Sequence, residues 1–478
     1  MQTKPVSDRE PLDPHPNGYL SLEAEFQQAA KKVANTPTAS DEPDEILYSG
    51  PREERGEPPS FLSRVKKVAG RVVPYGGIVS TVFNLASVCV GAGILGLPAA
   101  ANGSGLIMAF IYLIVIASFA IYSLHILGKT MEKTGIRTFE TMAKQLIGDR
   151  FDYFVALIRW INSFGATVAY IISVGDILEP ILKHSSGAPD YLRTTSGRRV
   201  ITSLVWFVIM LPLVLPKQVN SLRYVSTLAV AFVLYFVIML VIHSCEDGLE
   251  NIHKVDGVTI KLFNTGNAAI EGLGVFMFSF LCQINCYEVY WEMKQRSAKR
   301  FTLCAAIAMI LCFVLYVLTV FFGYMEFGSA VQSSILLMYN PVREPMVMVG
   351  YVGILVKLCA AYALQTMACR NAVYHCISWE VETLPYWKHF IAVIILSTAV
   401  LLCGLFIPNI NTVFGLVGAI CGGFLSFIFP ALFYLYSGNW TLRSVGLFDY
   451  VATHALLFSG VIGIVFGTIA SVYSTATT

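Results

Sequence analysis

Charged residues are scarce in this chain. Only 13% of its 478 residues are Asp, Glu, Lys or Arg, whereas 55% are hydrophobic, and an average soluble domain carries about 25% charged residues. So little charge cannot cover the surface of a globular protein of this length, which excludes a soluble protein. The net charge is +2 and no basic cluster extends beyond short loops, which excludes a nucleic-acid-binding protein. The composition predicts an all-α polytopic membrane protein.

Other chemical signatures are missing as well. The eleven cysteines show no zinc-binding spacing, and most fall in or beside apolar runs, so we predict free thiols and no metal site. No constellation of His, Asp or Ser occurs in the middle of an apolar run, which argues against an enzyme. No pattern in the sequence calls for a cofactor.

The first 75 residues differ from the rest of the chain. They are hydrophilic and rich in proline and acidic side chains, as at 41–45 and 51–55, which predicts a disordered cytoplasmic tail over residues 1–75. Within it, residues 61–73 place apolar side chains at helical spacing among arginines and lysines. That pattern is typical of a short basic helix lying on an anionic membrane surface beside the first span.

Residues 76–474 form the predicted membrane domain. Eleven apolar runs of about 20 residues, the length of a membrane-spanning helix, are centred near residues 88, 116, 168, 206, 232, 278, 312, 358, 398, 424 and 462. With a cytoplasmic N-terminus, most lysines and arginines fall in loops on that side, as the positive-inside rule requires. We predict a multi-pass protein of the plasma membrane, or alternatively of a vacuolar or lysosomal membrane, with its C-terminus outside.

The first apolar run contains several residues of low helix propensity. Residues 91–98 read GAGILGLP, and each glycine costs about 1 kcal/mol and a proline about 3 kcal/mol in a helix interior. Broken backbone at membrane depth persists where it is buried in protein or lines a wet cavity. We predict a break in this helix; a glycine face for close helix packing is the alternative.

The sixth apolar run is interrupted by polar side chains. Residues 278–288 read FSFLCQINCYE, which places Ser279, Gln283 and Asn285 at mid-depth, where polar groups are costly and usually face a cavity. For Ser279 alone, hydrogen bonding between helices is the alternative. Breaks five segments apart are what a five-plus-five inverted repeat produces, and matching interruptions in two halves indicate a transporter binding site.

These interruptions, together with other motifs, resemble the amino acid/auxin permease family. The matching residues are Asn84, the run 91–98, Tyr170 with Gly175-Asp176, the block 278–280 with Cys282 and Glu292, and Pro430 before Phe433-Tyr434. The resemblance covers about residues 75–475, and the stretch 283–290 resembles the kinetoplastid protist members. It implies eleven transmembrane helices, a fold similar to that of bacterial sodium-coupled amino-acid transporters, and secondary active transport of L-amino acids.

The chain departs from the sodium-coupled animal members of this family in three places. Ser87 stands where they carry asparagine, Gln283 stands where they carry histidine, and residues 358–364 contain no Ser or Thr. These departures favour proton-coupled or facilitated transport, with a proton as the candidate co-substrate. A sodium-coupled symporter, an amino-acid sensor of the same fold and a channel are the alternatives. Whether the amino acid is neutral or cationic stays open.

The two breaks predict how a substrate is held. Freed amides near 91–93, at the start of a half-helix, would bind the α-carboxylate. Freed carbonyls at 278–281 would bind the α-ammonium group, while Gln283, Asn285 and side chains of the third span would contact the substrate side chain. Phe278 and Phe280 suit a gate and suit core packing equally. The predicted substrate-binding residues are Gly91, Ala92, Gly93, Ile94, Phe278, Ser279, Phe280, Gln283 and Asn285.

Three further residues are candidates for coupling transport to an ion. Lys357 lies in the eighth run, where a cation costs several kcal/mol unless it is paired or wet. Its ammonium could replace a sodium ion beside carbonyls at 87–90, and a snorkelling lysine is the alternative. Asp176 lies near the outer end of the third run, where it suits a proton shuttle, a contact to a basic substrate or a solvated helix end. Ser87 is the third candidate, because it replaces the asparagine noted above.

Overall fold

The computed structural model describes residues 76–477 apart from 186, 188, 218–221, 249–257, 271, 378, 380–382, 408 and 439. The predicted tail over residues 1–75 and its basic helix at 61–73 lie outside the described residues, so both stay predictions. The described part contains helices and turns and no β-strand. This confirms the predicted all-α fold class.

The helices follow the apolar runs of the sequence. In chain order they are α1 (Ile78–Cys89), α2 (Gly93–Ser104), α3 (Leu106–Thr134), α4 (Phe139–Leu146), α5 (Phe151–His184), α6 (Thr195–Val214), α7 (Leu222–His243), α8 (Leu273–Ser279), α9 (Cys286–Glu292), α10 (Ala298–Phe327), α11 (Pro345–Cys376), α12 (Tyr386–Phe406), α13 (Ile410–Tyr436) and α14 (Leu447–Thr477). Short helical turns occupy Asp190–Arg193, Asn267–Ile270, Gln283–Asn285, Gly328–Ala330, Ile335–Leu337 and Leu442–Val445. π-Helical stretches lie at Trp206–Met210, Ser244–Gly248 and Gly418–Ile428.

Ten of the eleven predicted spans are long apolar segments. Within the described residues, nine helices are long and apolar enough to cross a membrane, and the bent pair α1–α2 makes a tenth. The sixth predicted run is divided between α8 and α9, of 7 residues each, which are too short to span singly. The prediction that the first and sixth spans are broken is therefore confirmed.

Polar side chains fix where several helices begin. The first N–H groups of a helix have no intrahelical acceptor, and a side-chain oxygen just before the helix can supply one. Ser297 accepts a hydrogen bond from the amide of Arg300 at the start of α10, at 3.2 Å, and Thr138 and Asn409 cap α4 and α13 in the same way. α11 instead begins with Pro345, which has no N–H to satisfy.

The two broken spans lie against each other in the middle of the bundle. α2 packs on α8, and α1 packs on α9, so the two breaks meet. α10 packs along α1, α2 and α3, and α5 packs along α11. These long helices form the walls beside the breaks, and they position the side chains described next.

Candidate functional site

The first break separates α1 from α2. α1 ends at Cys89, and Val90 leaves the helical conformation with ψ 68°. α2 starts at Gly93 without a side-chain cap, and the two axes differ by 54°.

The Gly91 amide, which was predicted to be free, donates to the Cys89 carbonyl at 2.7 Å, and the Leu95 amide donates to the Ala92 carbonyl at 3.0 Å. Because the first amides of a helix have no intrahelical acceptor, the amides at 92–94 remain the candidates for binding a carboxylate.

The break is shorter than the glycine-rich stretch suggested. α2 continues through Pro98 to Ser104, so the proline does not end the helix. Its ring packs against α10, where a Cβ on Gly323 would approach the Pro98 Cγ to 3.0 Å. This tertiary packing compensates for the hydrogen bond that the proline removes.

The second break separates α8 from α9. Helix α8 ends at Ser279, and a single turn over Gln283–Asn285 precedes α9. The amide of Leu281 donates to the carbonyl of Phe278 at 3.1 Å. The Phe278 carbonyl is therefore already engaged in the turn that ends α8.

The hydroxyl of Tyr316 connects the two breaks. Tyr316 lies on α10 and is completely buried, and its hydroxyl lies 2.8 Å from the Cys89 carbonyl and 2.7 Å from the Ser279 carbonyl. The Cys89 thiol also donates to the Ser279 carbonyl at 3.2 Å. The end of α1 and the end of α8 are thus joined directly and through α10.

Lys357 contacts the first break from the other side. It lies on α11 with 3% of its surface exposed, and its ammonium donates to the Val90 carbonyl. This carbonyl belongs to the segment 87–90, the predicted partner of this lysine. The side chain points into the protein core, which does not match the snorkelling alternative.

Two adjoining cavities lie beside the breaks. The larger, of about 60 Å³, includes Ser87 and Lys357 in its lining, and the smaller, of about 30 Å³, includes Gly91 and Phe278. Both are also lined by Val88, Tyr170, Asn285 and Gln365. We refer to them together as the central cavities. Space of this size holds a few water molecules.

Helical periodicity explains which side chains line the central cavities. Residues four apart lie on one face of a helix, and on α5 this face carries Asn162, Ala166 and Tyr170. On α11 the corresponding face carries Lys357, Ala361 and Gln365. Polar side chains from α5, α11 and the second break therefore meet at one place.

Several predicted binding residues lie outside the central cavities. A Cβ on Gly93 would approach the Ser279 Oγ to 2.8 Å, so Gly93 packs on the second break, and Ala92 and Ile94 are buried. The ring of Phe280 packs edge-on against Tyr316, with centroids 5.0 Å apart. The alternative interpretation of close glycine packing therefore applies at Gly93 together with the break.

Gln283 faces away from the central cavities. Its side-chain oxygen accepts hydrogen bonds from the Cys282 amide at 3.1 Å and from the Ser426 hydroxyl of α13 at 2.9 Å. Its side-chain nitrogen is buried and has no partner among the described residues.

The ring of Phe278 stacks on Phe414, with centroids 4.7 Å apart, and also borders the smaller cavity.

Asp176 belongs to an ion-pair network outside the central cavities. Arg198 of α6 donates to Asp176 and to Glu179, at 2.6 Å in each case, and Lys183 donates to Glu179 at 2.5 Å. Asp176 is 2% exposed, so it is not part of a solvated helix end. The structure does not bring it together with Ser87 or Lys357.

Tyr316, Asn162 and Gln365 are not among the site residues predicted from the sequence. Nothing in the sequence marks Tyr316 as a site residue, because an aromatic residue in an apolar run is ordinary. Asn162 and Gln365 are polar residues within predicted spans, and the spacing to Tyr170 and to Lys357 would have placed both on the cavity-facing sides of their helices.

A further cavity lies at the start of α13. It measures about 220 Å³ and includes Asn409, Asn411 and Thr412 of the α13 start in its lining, with Ser471 of α14. It contacts neither Lys357 nor Asn285.

Within the described residues, no group of three or more His, Cys, Asp or Glu side chains is arranged to hold a metal ion.

Known proteins resemble this chain in sequence and in fold. The profile of a family described as "Transmembrane amino acid transporter protein" matches residues 75–474. A zebrafish (Danio rerio) protein named "Sodium-coupled neutral amino acid symporter 2" is 24% identical over 376 residues, which is 74% of each chain. The crystal structure of MhsT in complex with L-phenylalanine superposes with a TM-score of 0.55 at 13% sequence identity, covering 83% of this chain and 99% of that one.

Proposed function

The chain belongs to the transmembrane amino acid transporter family, and on that basis we propose that it carries L-amino acids across the membrane without sodium, by proton coupling or by facilitated diffusion. It is a multi-pass membrane protein and not an enzyme. We further propose a cytoplasmic N-terminus and a place in the plasma membrane, because the lysines and arginines concentrate in loops on the N-terminal side.

The observation that carries the transport proposal is the pair of facing breaks beside the central cavities. The amides at the start of α2 follow Gly91, which borders the smaller cavity, and a helix start attracts carboxylates through its N–H groups and dipole. We therefore assign the α-carboxylate to this helix start. Because Tyr316 occupies the Ser279 carbonyl, we assign the α-ammonium group to the following carbonyls, at Phe280 and Leu281.

Lys357 supports the proposal that sodium is not required. Its ammonium joins α11 to the Val90 carbonyl, which is a bond that a bound cation could otherwise supply. α11 offers no Ser or Thr at 358–364 to complete an oxygen site for sodium. We propose that the lysine itself provides the positive charge beside the first break, and that its protonation couples transport to pH.

Sodium-coupled symport is the second candidate. The zebrafish relative is named as a sodium-coupled symporter, and the two chains align over most of their lengths. An amino-acid sensor with the same site but without net flux is the third. These functions differ in ion dependence and in flux, so one reconstituted system separates them.

The decisive experiment is uptake into proteoliposomes that contain the purified full chain. Twenty labelled amino acids are offered in sodium, potassium or choline buffer, at two external pH values. We expect uptake that persists without sodium and saturates, with exchange of preloaded substrate as a carrier shows. Strict sodium dependence would contradict the coupling proposal, non-saturable flux would indicate a channel, and binding without flux would indicate a sensor.

A further inference from the structure

The lining of the central cavities contains little charge. Among the described lining residues, Lys357 is the only charged one, and no carboxylate is present. A buried charge requires an opposite charge or full hydrogen bonding. A lysine or arginine side chain bound here would lie near a second cation without an acid to pair with, so the cavities favour an uncharged substrate side chain.

Carboxamides are the characteristic groups of this lining. Asn162 and Gln365 both border the smaller cavity, together with Asn285 and Tyr170. The Gln365 amide nitrogen donates to the Ser163 hydroxyl at 3.3 Å, which holds it against α5. A carboxamide both donates and accepts hydrogen bonds, so this wall can pair with a polar group of either kind.

The side-chain oxygen of Asn162 accepts no hydrogen bond from any described residue. The residue is 1% exposed. Buried polar atoms are nearly always paired, and an unpaired one calls for an explanation such as an absent ligand. Because Asn162 lies in the cavity wall, a donor on a bound substrate is the group that would satisfy it.

We propose that Asn162 determines substrate specificity by accepting a hydrogen bond from an amide or hydroxyl group on an uncharged substrate side chain. The substrate class is then the polar neutral amino acids, of which glutamine, asparagine and serine are examples. This inference rests on the transport function proposed above and makes it more specific. The α-carboxylate and the α-ammonium group of the substrate are assigned to the two breaks. Asn162 is therefore free to contact the substrate side chain.

The test compares two substitutions at Asn162 with a matched control. Asn162→Leu keeps the size and removes both polar atoms, and Asn162→Asp adds the missing carboxylate. The control is Thr202→Val, because Thr202 also has a buried side-chain oxygen without a described partner but lies on α6 and borders neither central cavity. KM and kcat for glutamine, serine, leucine and lysine are measured in proteoliposomes, normalised to the protein incorporated.

We expect the unsubstituted protein to take up glutamine and serine better than lysine. In Asn162→Leu the KM for glutamine should rise about tenfold, the order expected for one lost hydrogen bond, while the KM for leucine stays within about twofold, because leucine offers no donor to lose. Asn162→Asp should admit lysine. Thr202→Val should keep the original order of substrates.

Three results would overturn the proposal. One is a preference of the unsubstituted protein for lysine, and another is an equal rise in KM for all four substrates in Asn162→Leu. The third is an unchanged order of substrates in both Asn162 variants. If the Asn162→Leu protein does not incorporate into proteoliposomes, the test is lysine uptake by Asn162→Asp: uptake supports the proposal and its absence overturns it. Absence of any amino-acid uptake by the unsubstituted protein would overturn the transport proposal as well, which separates the two failures.

Discussion

Replacing Lys357 with methionine tests the sodium-independent mechanism most directly. Methionine has nearly the same length and no charge, so the variant loses the bond from the buried ammonium to the Val90 carbonyl. A hydrogen bond that involves a charged group contributes about 1.5–3 kcal/mol. If this bond holds the first break in the geometry that binds substrate, uptake should fall about 10- to 150-fold, at about 1.4 kcal/mol per factor of ten.

The assay is the initial rate of uptake in proteoliposomes as a function of external pH. Lys357→Met should also flatten the pH profile, because the group proposed to titrate is gone. Lys357→Arg should restore little, since a guanidinium is wider and does not release its proton. Lys144→Met, at an exposed position on α4, controls for loss of a lysine as such and should behave like the unsubstituted protein.

The snorkelling interpretation of Lys357 makes the opposite prediction. It expects a functional Lys357→Arg and a Lys357→Met that is only mildly affected. A Lys357→Met protein with an unchanged rate and an unchanged pH profile would refute the role proposed here. Equal loss of incorporated protein in both variants would show that the Val90 contact serves folding alone.

Three further substitutions test the breaks. Gly91→Ala should raise the KM a few-fold without loss of folded protein, because its Cβ would lie 3.6 Å from the Tyr170 hydroxyl, an ordinary contact; an unchanged KM would remove Gly91 from the site. Gly93→Val should reach the membrane but lose uptake, since its Cβ would press on the Ser279 Oγ at 2.8 Å; normal affinity would contradict this. Tyr316→Phe removes the hydroxyl that bridges the Cys89 and Ser279 carbonyls, each of which keeps one other donor, so stability in detergent should fall by about 0.5–1.5 kcal/mol; an unchanged melting temperature would contradict the bridging role.

The arrangement of spans could be predicted from the sequence. Apolar runs of membrane length locate the helices, and residues 91–93 and 280–285 locate the breaks, because both signals depend on composition within one segment. The extent of each break could not be predicted in this way. Pro98 stays inside α2 because α10 packs on it, and that contact joins residues far apart in the chain.

The site could be predicted from the sequence only in part, because some of its features depend on contacts between distant segments. Lys357 and Asn285 stand out as polar residues in apolar runs, and the structure places both beside the central cavities. Gln283 stands out equally, but it turns towards Ser426 of α13. The rotation of a short segment within a break follows from tertiary packing and not from helical spacing, so the sequence could not distinguish Gln283 from Asn285.

The two anchors of the first break differ in what they hold, and this difference suggests where the structure opens. Tyr316 joins Cys89 to Ser279, so it ties the breaks to each other, whereas Lys357 ties α11 to Val90 alone. We therefore expect the two breaks to move together and α11 to separate from them when the central cavities open. A substrate carboxylate near the first break would compete with the Val90 carbonyl for the ammonium, because an anion is the stronger acceptor. Substrate binding would then loosen the bond that must break for this movement.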